Sequence, residues 1–130
     1  MAKAVTEGAK TVPRVEAEPN YYMAPETLKN FDAIIVGIPT YHHNMTVDMK
    51  MLFEEAAVKN DSLKGKIGAC FGSYGWSGEA PKLVLEIIKN KFEMQIIEPP
   101  LLIRYTPDQT GLEKCKAFGK KIAERLMHVT

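Results

Sequence analysis

Cysteine is scarce in this chain of 130 residues: Cys70 and Cys115 are the only two, and no C-x-x-C spacing is present. Both lie in apolar stretches, which reads as a pair of reduced core thiols. Cys70 also has no base at a recognisable spacing, so a packed thiol is favoured over a nucleophile. Charge of one sign is equally lacking. Lysine and arginine number 17 and aspartate and glutamate 16, for a net charge of +1. No overall field draws the chain to nucleic acid or to an anionic membrane. No apolar run approaches the length of a bilayer span, and the N-terminus has no apolar signal core, so a cytoplasmic protein is expected. Histidine is limited to three residues, two of them the adjacent pair His42-His43. Adjacent side chains point apart in most backbones, and no carboxylate or cysteine completes a ligand set, so polar loop residues are favoured over a metal site.

What the chain does contain is 45% hydrophobic and 25% charged residues, with no internal repeat or low-complexity tract. That composition fits one globular domain spanning 1–130. Met1 to Lys10 reads as the later turns of a helix, uncapped at its start and expected to fray. Val12 to Ala17 alternates and reads as a short strand, confined by Pro13 to an edge or a first strand position. Glu18 to Lys29 reads as a loop with a short helix near Pro25–Leu28, where Tyr21 and Tyr22 are packing covers.

Asp32 to Ile38 is an unbroken β-branched run of the kind buried on both faces of a parallel sheet. It runs into Pro39-Thr40-Tyr41-His42-His43-Asn44, a polar loop just past the carboxyl end of the strand, where open α/β sheets bind ligands. A helix with Met45, Met49, Leu52, Phe53 and Ala56 on one face follows. Lys66 to Phe71 is the next strand, and it breaks into Gly72-Ser73-Tyr74-Gly75-Trp76-Ser77-Gly78. Glycines at 72, 75 and 78 permit close backbone approach to a ligand beside a helix N-terminus, and Tyr74 and Trp76 offer flat faces for a planar ring or act as loop covers. The helix after this loop has Pro81 in its first turn and apolar residues at 80, 83, 84, 87 and 88. Met94–Ile97 and Leu101–Tyr105 form a last strand interrupted by Pro99-Pro100. A closing helix from Leu112 to Met127 buries Leu112, Cys115, Phe118, Ile122 and Leu126, and its basic cluster of Lys114, Lys116, Lys120, Lys121 and Arg125 reads as a solvated face. Strands and helices alternate, as in a doubly wound parallel sheet.

The segments Ile35–Tyr41 and Phe71–Gly78 resemble the two flavin-ring loops of the flavodoxin family. With Glu98-Pro99, Arg104–Asp108 and Cys115–Lys121, the chain is most similar to the flavodoxin-like module at the C-terminal end of A-type flavoproteins, the flavodiiron proteins. The resemblance implies a flavodoxin-like α/β fold, noncovalent FMN and electron transfer through the exposed flavin edge to a redox partner protein. It places Pro39, Thr40, Tyr41, His42, His43 and Asn44 on one side of the ring and Ser73, Tyr74, Gly75, Trp76 and Gly78 on the other. It assigns no catalytic residue.

In the family a first strand and a Ser/Thr-rich phosphate loop precede the helix that Met1–Lys10 resembles. An N-terminally truncated sheet with four strands is therefore expected from this chain, with homo-oligomerisation one way to complete it. A phosphate with nearly two negative charges also needs a nest of N–H and hydroxyl donors, which that loop provides in the family. The alternative function is a flavodoxin-like interaction or assembly domain that no longer binds flavin. Diiron chemistry belongs in the family to a separate domain whose motifs this chain lacks.

Overall fold

The computed structural model describes residues 1–19, 28, 30–38, 54, 63, 65–74, 79–98, 100–104 and 108–129. In chain order the elements are α1 (Ala2–Lys10), β1 (Ala33–Gly37), β2 (Ile67–Tyr74), α2 (Glu79–Asn90), β3 (Gln95–Ile96), β4 (Leu101–Arg104) and α3 (Gln109–Val129). All three described strand pairings are parallel: β1 with β2, β2 with β3, and β2 with β4. The doubly wound α/β class and the count of four strands agree with the sequence.

The identity of those four differs in one respect. Val12–Ala17 forms no strand. Instead α1 unwinds into a turn, with Val12 N–H donating to Ala9 O and Val15 N–H to Val12 O. Arg14 sits at φ 70, a left-handed conformation that breaks an extended run, and Pro13 has no N–H to offer a ladder. The fourth strand comes from the interrupted last strand. Gln95 pairs with Ile67 but Leu101 with Phe71, so six steps along this strand span four along β2. Two residues are looped out around Pro100, where a proline could not have donated to the ladder.

β2 is the middle of the sheet, and its side chains alternate between two cores. Ile67, Ala69 and Phe71 face a cluster with Val5 of α1 and Cys115, Phe118 and Ile122 of α3. Cys70 faces the opposite cluster, built on Val84, Leu85 and Ile88 of α2. β1 divides in the same way, with Val36 on the α2 side and Ala33 and Ile35 on the other. The α2 side of β2 is lined by small residues because α2 lies close: a Cβ on Gly68 would fall 2.8 Å from Ile88 Cδ1.

Helix boundaries follow local chemistry. Pro81 falls in the first turn of α2, where helical N–H groups have no partner and its missing one costs nothing. α3 starts before the apolar stripe does. Asp108 caps it, accepting a hydrogen bond from Gly111 N–H at 2.8 Å through Oδ1 and from Leu112 N–H at 2.9 Å through its carbonyl, the arrangement that makes aspartate a good N-cap. α1 forms from Ala2, and its Met1 N-cap makes no side-chain cap bond. Of the helix expected around 45–56 only Glu54 is described, and it is helical. The short helix expected near Pro25–Leu28, with Tyr21 and Tyr22, lies outside the described residues except for Leu28, which is buried.

α1 and α3 meet backbone to backbone. A Cβ on Gly8 would sit 1.9 Å from Lys116 O, and one on Gly119 1.9 Å from Val5 O. Neither obstacle is a flexible side-chain tip, so any methyl here forces the helices apart. Inside a helix, Gly to Ala ordinarily gains about 0.5–1 kcal/mol. Gly119→Ala is expected to reverse that sign and destabilise by about 1–3 kcal/mol, lowering the melting temperature by at least several degrees. A thermal melt of the variant showing any stabilisation would refute the close crossing.

Candidate functional site

The carboxyl ends of β1, β2 and β4 reach the same edge of the sheet. β1 and β2 are in register from Ala33↔Ile67 to Gly37↔Phe71, and Ile38 N–H extends the ladder to Phe71 O at 3.0 Å. β2 continues through Ser73 and Tyr74, which pair on its other side with Ile103 and Arg104. Ile38, Tyr74 and Arg104, the last described residues of these neighbouring strands, therefore lie at one edge. The connection 75–78 is four residues long and enters α2 at Glu79, which brings the unpaired N–H groups of that helix to the same place.

The chain leaving β1 turns across the end of β2. The Ile38 carbonyl lies where a Gly72 side chain would be: a Cβ there would be 2.0 Å from Ile38 O and 2.9 Å from Pro81 Cγ. Gly72 therefore does not serve the role expected of it as a point of ligand approach. Its bare Cα is occupied by the chain that begins the first loop and by the helix that follows the second. This contact fixes the start of loop 39–44 against the start of loop 72–78. A neighbouring glycine has a different reason: a Cβ on Gly37 would strike Phe71 Cζ at 2.4 Å, so the Phe71 ring covers the end of β1.

Of the residues assigned to the site by sequence, Ser73 and Tyr74 occupy the last two positions of β2. Pro39, Thr40, Tyr41, His42, His43, Asn44, Gly75, Trp76 and Gly78 lie outside the described residues. The segment after β4 was not among the expected site residues. Its signal was the parallel run Leu101–Arg104, since a parallel neighbour of β2 must deliver its following residues to the same edge.

Two other expectations concern reactive groups. Cys70 is fully buried, and burial pushes its thiol from the ordinary 9.0 up to about 12. Cys115 is buried on the opposite side of the sheet, and desolvation raises its pKa too. Both are free thiols, packed as the sequence indicated. Among the described residues no group of three His, Cys, Asp or Glu side chains is placed to hold a metal ion, and no helix is long and apolar enough to cross a membrane.

At this edge β1 and β2 end one strand spacing apart, about 4.8 Å, with the Ile38 carbonyl packed on Gly72.

Comparison with known proteins agrees. Residues 7–110 match the family described as NADPH-dependent FMN reductase. The chain is 36% identical over 102 residues to a type A flavoprotein of Rhodobacter capsulatus, covering 78% of this chain and 22% of that one. In three dimensions it is similar to a flavodoxin from the domain Archaea, with a TM-score of 0.86, 36% identity and coverage of 97% of this chain and 87% of that one. It also superposes on the flavodiiron core of Flv1 from Synechocystis with a TM-score of 0.82 at 19% identity, over 98% of this chain and 32% of that one. The chain thus spans about a fifth of the length of the curated relative it matches.

Two outcomes are expected from variants. Gly72→Ala should push the Ile38 carbonyl aside and cost about 1–3 kcal/mol, read as a lower denaturation midpoint. A Gly72→Ala chain as stable as the parent would remove the contact proposed to join the loops. The Cys70 thiol titrates above its unfolded value, so the stability it confers is complete below about pH 9 and lost as the pH climbs toward 12, at up to about 1.4 kcal/mol per pH unit. Cys70→Ala should flatten this alkaline limb in denaturation curves taken from pH 8 to 11. Parallel limbs would show that Cys70 is solvated.

With the parallel sheet and the relatives in agreement, the chain belongs to the flavodoxin-like family described as NADPH-dependent FMN reductase, and FMN is its cofactor.

Proposed function

We propose that this chain is an FMN-dependent electron-transfer module of flavodoxin type, its flavin ring held between loops 39–44 and 72–78. The observation that carries this reading is the Ile38–Gly72 contact, which sets the two loop starts side by side at the carboxyl edge of the sheet. The similarity to an archaeal flavodoxin along nearly the whole chain supports it.

When bound, FMN supplies the redox chemistry, and the protein's part is to bind, orient and shield it. Pro39, Thr40, Tyr41, His42, His43 and Asn44 line one side of the ring, and Ser73, Tyr74, Gly75, Trp76 and Gly78 the other. Tyr74 and Trp76 would offer flat faces to the ring, and N–H groups of the second loop and the start of α2 would serve as donors to it. An edge left open by the loops faces a redox partner protein, and the chain works in the cytoplasm. The oxygen or nitric oxide chemistry in the names of longer relatives is theirs, since this chain spans only a small part of their length.

Fluorescence titration of FMN, and separately of riboflavin, into the purified chain tests the proposal. Stacking on Trp76 or Tyr74 should quench flavin emission. Tight binding of FMN with weaker binding of riboflavin is the expected result, and it would show that the chain holds the phosphate as well as the ring. Equal, weak binding would leave the ring pocket alone. Absence of quenching by either would reject the flavin site and favour an interaction domain.

A further inference from the structure

The exposed charges of the chain are segregated. α3 carries Lys114, Lys116, Lys120, Lys121 and Arg125 against Glu113 and Glu124, and α1 carries Lys3 and Lys10 against Glu7. Seven cations against three anions leave this layer at +4. The other ten cations and thirteen anions leave the rest of the chain at −3, and the two parts make up the net +1. The near-neutral composition thus hides one basic helical layer and an acidic remainder. All seven cations are exposed. Of these seven, Lys116 is ion-paired with Glu7 at 3.7 Å, and both of those side chains are about half exposed. Such a pair contributes little and yields readily to a competing carboxylate.

The layer also has relief. Because Gly8 and Gly119 draw α1 and α3 into backbone contact, a shallow groove of about 370 Å³ runs beside the crossing. Glu7, Gly8 and Thr11 of the α1 side and Lys116, Ala117 and Lys120 of α3 line it. Lys116 and Lys120 are four residues apart, on one side of the helix. The Thr11 hydroxyl is occupied as a donor to Gly8 O at 2.7 Å, so toward the groove it presents acceptor capacity only. The donors available to a ligand are the two ammonium groups.

We propose that the α1–α3 layer is a docking surface for an acidic protein segment, whose Glu and Asp side chains enter the groove between Lys116 and Lys120. The charge segregation selects this occupant. A polypeptide can confine its carboxylates to one helical layer, whereas duplex nucleic acid and an anionic bilayer extend far beyond it and meet the −3 remainder. This inference goes beyond the flavin reading and stands apart from it.

The test uses the whole chain and a fluorescein-labelled peptide of ten glutamates, followed by fluorescence anisotropy at about 0.01 M and about 0.15 M salt, where the screening length falls from about 30 to about 8 Å. Expected are salt-sensitive binding, a tenfold or greater loss in the Lys116→Glu/Lys120→Glu double variant, and little change in Lys82→Glu, an exposed position on α2. No binding at low salt would overturn the proposal, as would an equal loss in Lys82→Glu. Tighter binding of duplex DNA or of phosphatidylserine vesicles would also overturn it, in favour of those surfaces. The double variant should bind FMN as the parent does, which separates failure here from failure of the flavin reading.

Discussion

Among the described strands, β2 alone is hydrogen-bonded along both edges and buried on both faces, and the remaining elements are placed by what it will accept. On one face it offers Ile67, Ala69 and Phe71, large enough to fill the space under α1 and α3. On the other it offers Gly68, Cys70 and Gly72, small enough for α2 and the Ile38 carbonyl to come into contact. A side chain at Gly68 would meet Ile88, and one at Gly72 would meet backbone. Close packing of this kind responds to a single methyl. The difference between the two faces of β2 along 67–72 is therefore a statement about both layers at once.

Much of that was legible. The apolar runs at 33–38 and 67–71 could only be buried strands, and the 3.6-residue stripes of α2 and α3 named the faces they bury. The interruption at Pro99-Pro100 was legible too, because proline cannot donate to a ladder. Val12–Ala17 was misleading. Its alternation is real, but a strand needs a partner edge and an extended backbone, and the turn through Arg14 denies it the second. Six residues cannot show whether an alternating pattern is a pleat or the end of a helix folding into a turn. The early start of α3 was missed because Asp108 was read with the segment before it, while the cap is a three-residue relationship between its carboxylate and Gly111 N–H.

The sequence suggests two site loops, and of their residues the structure describes Gly72, Ser73 and Tyr74. Residue types at 39–44 and 72–78 suggested a ring-binding cleft, and strand order alone is enough to bring the two segments to one edge. What composition could not give is the purpose of a particular glycine. Gly72 looks like its neighbours at 75 and 78, in a run that invites a ligand. Yet the space at its Cα is filled by a carbonyl thirty-four residues earlier in the chain. A contact between residues that far apart in sequence leaves no local periodicity to detect. The charge segregation was hidden for a related reason, since net charge averages over faces that only the packing of α1 on α3 defines.

The same packing separates the part of the molecule that must be stiff from the part that carries chemistry. An electron carrier benefits from a cofactor pocket that does not have to rearrange as charge arrives and leaves, so the supports of the loops matter as much as the loops. Here the supports are backbone against backbone: Ile38 on Gly72 at the site, Val5 on Gly119 and Gly8 on Lys116 in the helical layer. Such contacts leave no rotamer to change and no side chain to yield. A methyl at 8, 72 or 119 therefore acts on the frame itself.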